Sequence, residues 1–131
     1  MKKEFTDILA IARENVERNP NNTSVDTETL VRKYLDGLAD EILEVRDEVK
    51  EKNDVHLIDE LSDIAWNYAT LLMALENRGL IPSAEEVLLH AYTKYTERTP
   101  AFLIGSMDLW NDVKTKQKLA LERRHQEKYG N

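Results

Sequence analysis

Two stretches decide how this chain is read: Leu38-Ala39-Asp40-Glu41-Ile42-Leu43-Glu44-Val45 and Leu57-Ile58-Asp59-Glu60-Leu61-Ser62-Asp63-Ile64. In both, apolar residues return every three or four positions, the period of an amphipathic helix. Followed outward, the first stripe runs through Leu30, Tyr34, Leu38, Ile42, Val45 and Val49. The second runs through Leu57, Leu61, Ile64, Tyr68, Leu72 and Leu75. At about 100° per residue, Glu41 lies inside the edge of the first stripe and Glu44 about 60° further round. Glu60 and Asp63 repeat that placement on the second. Only the polar turn Lys52-Asn53-Asp54 separates the two segments, so they should be antiparallel neighbours.

The remaining punctuation is sparse. Asn19-Pro20-Asn21-Asn22 is the clearest breaker, Arg78-Gly79 then Pro82-Ser83 reads as a helix stop and start, and Thr99-Pro100 with Gly105-Ser106 marks a looser stretch. The spacing predicts helices over about 3–18, 26–51, 54–78, 84–98 and 107–127, with Ser83 and Glu86 forming a capping-box pattern at the fourth. No strand, repeat or low-complexity segment stands out. The expected fold is all-α, an antiparallel bundle of about four to five helices. Its 131 residues form a single domain, with the core over about 26–100 and a C-terminal helix over about 107–127.

Composition narrows function. Hydrophobic residues make up 41% and charged residues 33%, as in a folded soluble domain. The absence of Cys excludes disulfides, thiol catalysis and cysteine zinc sites. No apolar run is long enough for a membrane helix and no signal peptide is visible, so a cytoplasmic location is expected and no membrane partner. The formal net charge of −7 argues against binding a nucleic-acid polymer. The charge is uneven: residues 36–63 hold 11 acids and 3 bases, whereas from Lys94 onward there are 8 bases and 5 acids.

Four carboxylates at the edge of two buried faces are costly unless paired or metal-bound, and each would raise the pKa values of the others. A hard divalent cation with oxygen ligands, Mg²⁺ or Mn²⁺, removes the conflict. The alternative is a solvated groove, or pairing with Arg46, Lys50 or Arg78; two matched pairs on adjacent helices favour the cation. A di-iron bundle needs Glu-x-x-His on two helices, and the sequence offers that spacing once, at Glu122 and His125. His-Glu-x-x-His zinc patterns are also missing.

Asp40-Glu41-Ile42-Leu43-Glu44, fifteen residues, then Glu60-Leu61-Ser62-Asp63 resembles the Glu-Glu-x-x-Glu … Glu-x-x-Asp signature of MazG-like nucleotide pyrophosphohydrolases, of the all-α NTP pyrophosphatase superfamily. The likeness covers roughly residues 30–100. Asp40 departs from the family's usual Glu, which leaves its own role open. The resemblance implies Mg²⁺ held by Glu41, Glu44, Glu60 and Asp63. It implies hydrolysis of a nucleoside triphosphate to the monophosphate and pyrophosphate. It also implies a homo-oligomer, homodimer or homotetramer, an expectation shared by the apolar residues of the first helix (Phe5, Ile8, Leu9, Ile11, Ala12, Val16). Glu41 or Asp40 are candidates to take the water's proton.

Lys94 and Arg98, one turn apart, suit the outer phosphates of a triphosphate, and family members carry a similar basic pair; the alternative is two solvated charges near a helix end. Asn67, one turn beyond Asp63, could bond a sugar hydroxyl or a base edge, or merely a neighbouring helix. Trp66 and Trp110 are candidates to stack on a base. Trp110 is the better one, since family members bring a C-terminal aromatic over the base. Gly37, one turn before Glu41, leaves space for substrate or allows close helix packing. Glu48 could add a further acid, and His56 receives no role. Phosphoribosyl-ATP pyrophosphohydrolysis and a non-catalytic helical protein-binding module remain as other readings.

Overall fold

The computed structural model describes residues 2–130. Among them the chain is all-helical, without a strand: α1 Lys2–Arg18, α2 Pro20–Thr23, α3 Thr27–Glu48, α4 Asp54–Asn77, α5 Ala84–Leu103 and α6 Met107–Tyr129. It divides into two compact units, one up to Ala84 and one from Glu85 onward.

In the first unit α4 is the central helix, packed on one side by α1 and on another by α3. Leu9, Ala12 and Val16 of α1, Leu30 and Tyr34 of α3, and the unbroken run from Ala69 to Ala74 of α4 are buried. Each connection is fixed by a side chain that satisfies helix-end groups. The Asp26 carboxylate accepts from the Thr29 N–H at 2.8 Å and starts α3. Arg78, just past α4, donates to the Thr27 hydroxyl and to the carbonyls of Asn22 and Val25. Glu76 accepts from the Ala84 N–H at 3.1 Å while pairing with Arg13 of α1.

In the second unit α5 and α6 are joined by side chains. Gln117 of α6 accepts from the Arg98 Nε at 2.7 Å, and donates to the Lys94 carbonyl and the Glu97 carboxylate of α5. The Ser106 hydroxyl caps α6 at the Leu109 N–H, and left-handed Gly130 ends it.

Among the described residues there is one helix more than the sequence reading expects. The addition is α2, a single turn at the Asn19-Pro20 breaker. Proline suits the first turn of a helix, and the Asn19 side chain caps it by accepting from the Asn21 N–H. Helix α5 also runs through Pro100 to Leu103, beyond the expected end near residue 98. A third difference concerns the stripes. Leu30, Tyr34 and Leu72 are buried as their period suggests, but Ile42, Val49, Leu61 and Tyr68 stay exposed.

Candidate metal centre

Helices α3 and α4 form a hairpin whose tip decides which residues meet. The turn spans residues 49–53 and contains Lys52, the one non-glycine residue with positive φ among those described. Asn53 closes it, donating to the Glu48 carbonyl at 2.8 Å and to the Glu48 carboxylate at 2.6 Å. Glu48, a sequence candidate for a further acidic ligand, is thus engaged at the turn. Lys52 is the pivot of the register. Gly37 and Asn67, which lie against one another, are each fifteen residues from it. Glu41 and Asp63 are each eleven residues away, and Glu44 and Glu60 eight.

That register brings the acids together. One carboxylate oxygen from each of Glu41, Glu60 and Asp63 lies within 4.8 Å of the others, and all three residues are half-buried. Glu44 is exposed and outside this trio, but its carboxyl hydrogen-bonds with Glu41. Asp40 is exposed and outside the trio. Arg78, one of the bases that could have neutralised these acids, is spent on the α2–α3 connection.

The electrostatics follow from the crowding. Hydrogen bonding with Glu44 is the main cause that pushes the Glu41 carboxyl up to about 7; loss of solvation and the charges of Glu44, Asp63 and Glu60 add to it. Glu60 is raised as well, first by desolvation and then by the charges of Glu44 and Asp63. Glu41 Oε2 and Glu60 Oε2 are buried and accept no hydrogen bond. Buried acceptor oxygens without a donor, crowded by like charges, are what a hard divalent cation would satisfy, so the donor set fits Mg²⁺ or Mn²⁺.

The other sequence candidates fall in two places. Asn67 is half-buried on α4, and its Nδ2 donates to the Asp63 carbonyl at 2.9 Å. Trp66 is exposed, at 36%. Lys94, Arg98 and Trp110 belong to the second unit. Lys94 is half-buried, with its ammonium 5.7 Å from the Tyr95 ring centre. Arg98 is buried, its guanidinium 5.0 Å from the Trp110 ring and 5.5 Å from that of Tyr95. Trp110 also meets Phe102, with ring centres 4.2 Å apart. Sequence reading missed Gln117, which holds Arg98 and the Lys94 carbonyl. The signal was present: Trp110, Val113 and Gln117 share one face of α6 by helical period.

The family model of the MazG nucleotide pyrophosphohydrolase domain matches residues 27–103, more than half of the chain and the whole of the α3–α4 hairpin. Neither the curated proteins nor the solved structures include a match.

Proposed function

The chain belongs to the MazG nucleotide pyrophosphohydrolase family, and from that premise we propose that it is a Mg²⁺-dependent nucleoside triphosphate pyrophosphohydrolase. It would take a ribo- or deoxyribonucleoside triphosphate and one water to the monophosphate and pyrophosphate, a reaction suited to clearing unwanted nucleotides. The observation that carries this reading is the Glu41–Glu60–Asp63 trio, with two buried carboxylate oxygens lacking donors.

Glu41, Glu60 and Asp63 would hold the ion, with Glu44 at the margin; Mn²⁺ is a substitute. The bound ion would polarise the phosphoryl group and neutralise part of its charge. The chain's own carboxylates supply the rest. Glu41, which sits among the ligands, is assigned the role of base. Asp40, exposed and outside the cluster, is the weaker candidate for that role. Lys94 and Arg98 are assigned to the outer phosphates, Trp110 to the base, and Asn67 to the sugar or base edge. Arg98 suits phosphate binding, since aromatic rings and Gln117 hold its guanidinium in one orientation before any ligand arrives.

The active form is proposed to be a homodimer or homotetramer. Ile42 and Leu43 of α3, Val49 of the turn, and Val55 and Ile58 of α4 are all more than half exposed on the acidic hairpin. Apolar surface of that extent is typical of an interaction face. Light scattering at micromolar concentration should return at least twice the monomer mass; a monomer would overturn this part.

Pyrophosphate release from a panel of nucleoside triphosphates, with Mg²⁺ and with EDTA, tests the activity. Release that needs the metal is expected. No release from any nucleotide under either condition would overturn the reading and favour a binding module. Turnover of phosphoribosyl-ATP alone would place the chain with histidine-pathway relatives.

A further inference from the structure

Four glycines occur in the chain, and three of them explain themselves. Gly79, Gly105 and Gly130 have positive φ beside helix ends, where a side chain would be strained. Gly37 is different. It lies in the interior of α3 without a positive φ, where glycine is less favourable to a helix than alanine. Conformation does not demand it, so the explanation must lie in space.

The space is occupied from α4. A Cβ on Gly37 would stand 3.2 Å from Asn67 Oδ1, closer than an ordinary contact. Asn67 has little freedom to retreat, because its Nδ2 is bonded back along α4 to the Asp63 carbonyl. Gly37 is one turn before Glu41, and Asn67 one turn after Asp63. The pair therefore forms the next rung of the hairpin ladder, between the acid cluster and the buried rung of Tyr34 and Thr70.

Resting on the metal reading above, we infer that Gly37 is a positioning residue. Its missing side chain, filled by the Asn67 carboxamide, sets the α3–α4 separation at which Glu41 meets Glu60 and Asp63. The tolerance is small, because metal–ligand distances are held to about 0.2 Å. A methyl group on this rung pushes Asn67 outward and takes α4, with Asp63, away from Glu41.

Mn²⁺ binding to the full chain, followed by the electron paramagnetic resonance of the free ion, tests this alongside circular dichroism melts of the metal-free protein. Gly37→Ala should weaken Mn²⁺ binding about 10-fold or more, in the range seen when residues behind metal ligands are changed. Its melting temperature should hold or rise, because alanine favours helix. In Gly37→Ala/Asn67→Ala the shortened side chain leaves room for the methyl group, and binding should return to that of Asn67→Ala alone. Unchanged Mn²⁺ binding by Gly37→Ala would overturn the inference. So would a loss of binding, or of helicity, that the double variant does not recover. Wild-type protein that binds no Mn²⁺ would overturn the metal reading and this inference together, whereas wild-type binding with an indifferent Gly37→Ala overturns this inference alone.

Discussion

Helix α4 is two different objects joined end to end. From Ala69 to Ala74 every residue is buried, so the helix is enclosed on all sides. From Asp54 to Tyr68 none is: Val55 is 72% exposed, Ile58 64%, and the half-buried groups include Glu60 and Asp63. One end is packed by α1 and α3 and carries the stability. The other end carries carboxylates that crowd one another and apolar side chains that are largely exposed. The contrast teaches that the fold does not need its reactive end to be comfortable. The enclosed end holds α3 and α4 together firmly enough to keep like charges close, the usual relation between a rigid scaffold and a strained site.

The contrast should break most sharply at the acids. Glu60→Gln removes a ligand without removing bulk. Pyrophosphate release should fall by on the order of 1000-fold, since metal assistance is worth several kcal/mol at about 1.4 kcal/mol per tenfold. The metal-free protein should melt no lower than wild type, because one member of a repelling group has been neutralised. Kinetics and melts on one preparation check both halves; a variant that loses activity and fold together would make Glu60 structural.

The enclosed end should respond in the opposite way. Met73 is 1% exposed, and Met73→Ala should lower stability by about 2–5 kcal/mol in urea unfolding. Mn²⁺ affinity measured well below the melting point should stay near wild type.

Lys94 sharpens the comparison from the second unit. Lys94→Ala should reduce kcat/KM on a triphosphate by roughly 10- to 100-fold, and on the matched diphosphate by much less, if its ammonium meets the outermost phosphate. Equal small effects on both substrates would return it to the role of a solvated helix charge. Arg98→Ala is the less clean probe, because Arg98 also packs between Tyr95 and Trp110.

The smallest effect is in pH. The Glu41 carboxyl titrates near 7 in the folded, metal-free chain and near its ordinary 4.5 when unfolded. The folded state therefore holds the extra proton between those values. Its stabilising contribution is full below about 4.5 and is lost as pH rises through about 7. Metal-free melting temperatures should decline across that window by a few degrees, and Glu41→Gln should flatten the decline. Mn²⁺ affinity should rise over the same window, because the ligands must lose their protons.

Much of this was legible in the residues, for reasons of scale. Apolar period marks helices longer than a few turns, so α1, α3, α4 and α6 could be placed from sequence. Two carboxylate pairs spaced i and i+3 gave the acidic face of each. Helix α2 was hidden because four residues carry no period, and the last turn of α5 because Pro100 reads as a breaker wherever it falls. Period also says which face is apolar, not what covers it; Ile42 and Val49 were legible as apolar but not as exposed. Glu44 shows the same limit. Its spacing matches that of Asp63 and its carboxyl meets those of Glu41 and Glu60, but period alone does not say which oxygens come closest, and those are of Glu41, Glu60 and Asp63.

The hairpin turn carries a consequence for how such a chain can diverge. Connections between helices are usually where related proteins gain and lose residues freely. At residues 49–53 that freedom is withdrawn. One inserted residue would roll α4 by about 100° and slide it by about 1.5 Å against α3, carrying Glu60 and Asp63 away from Glu41. A chain built this way is therefore expected to tolerate a change of length only at connections elsewhere, while the Lys52 turn can change its letters but not its count.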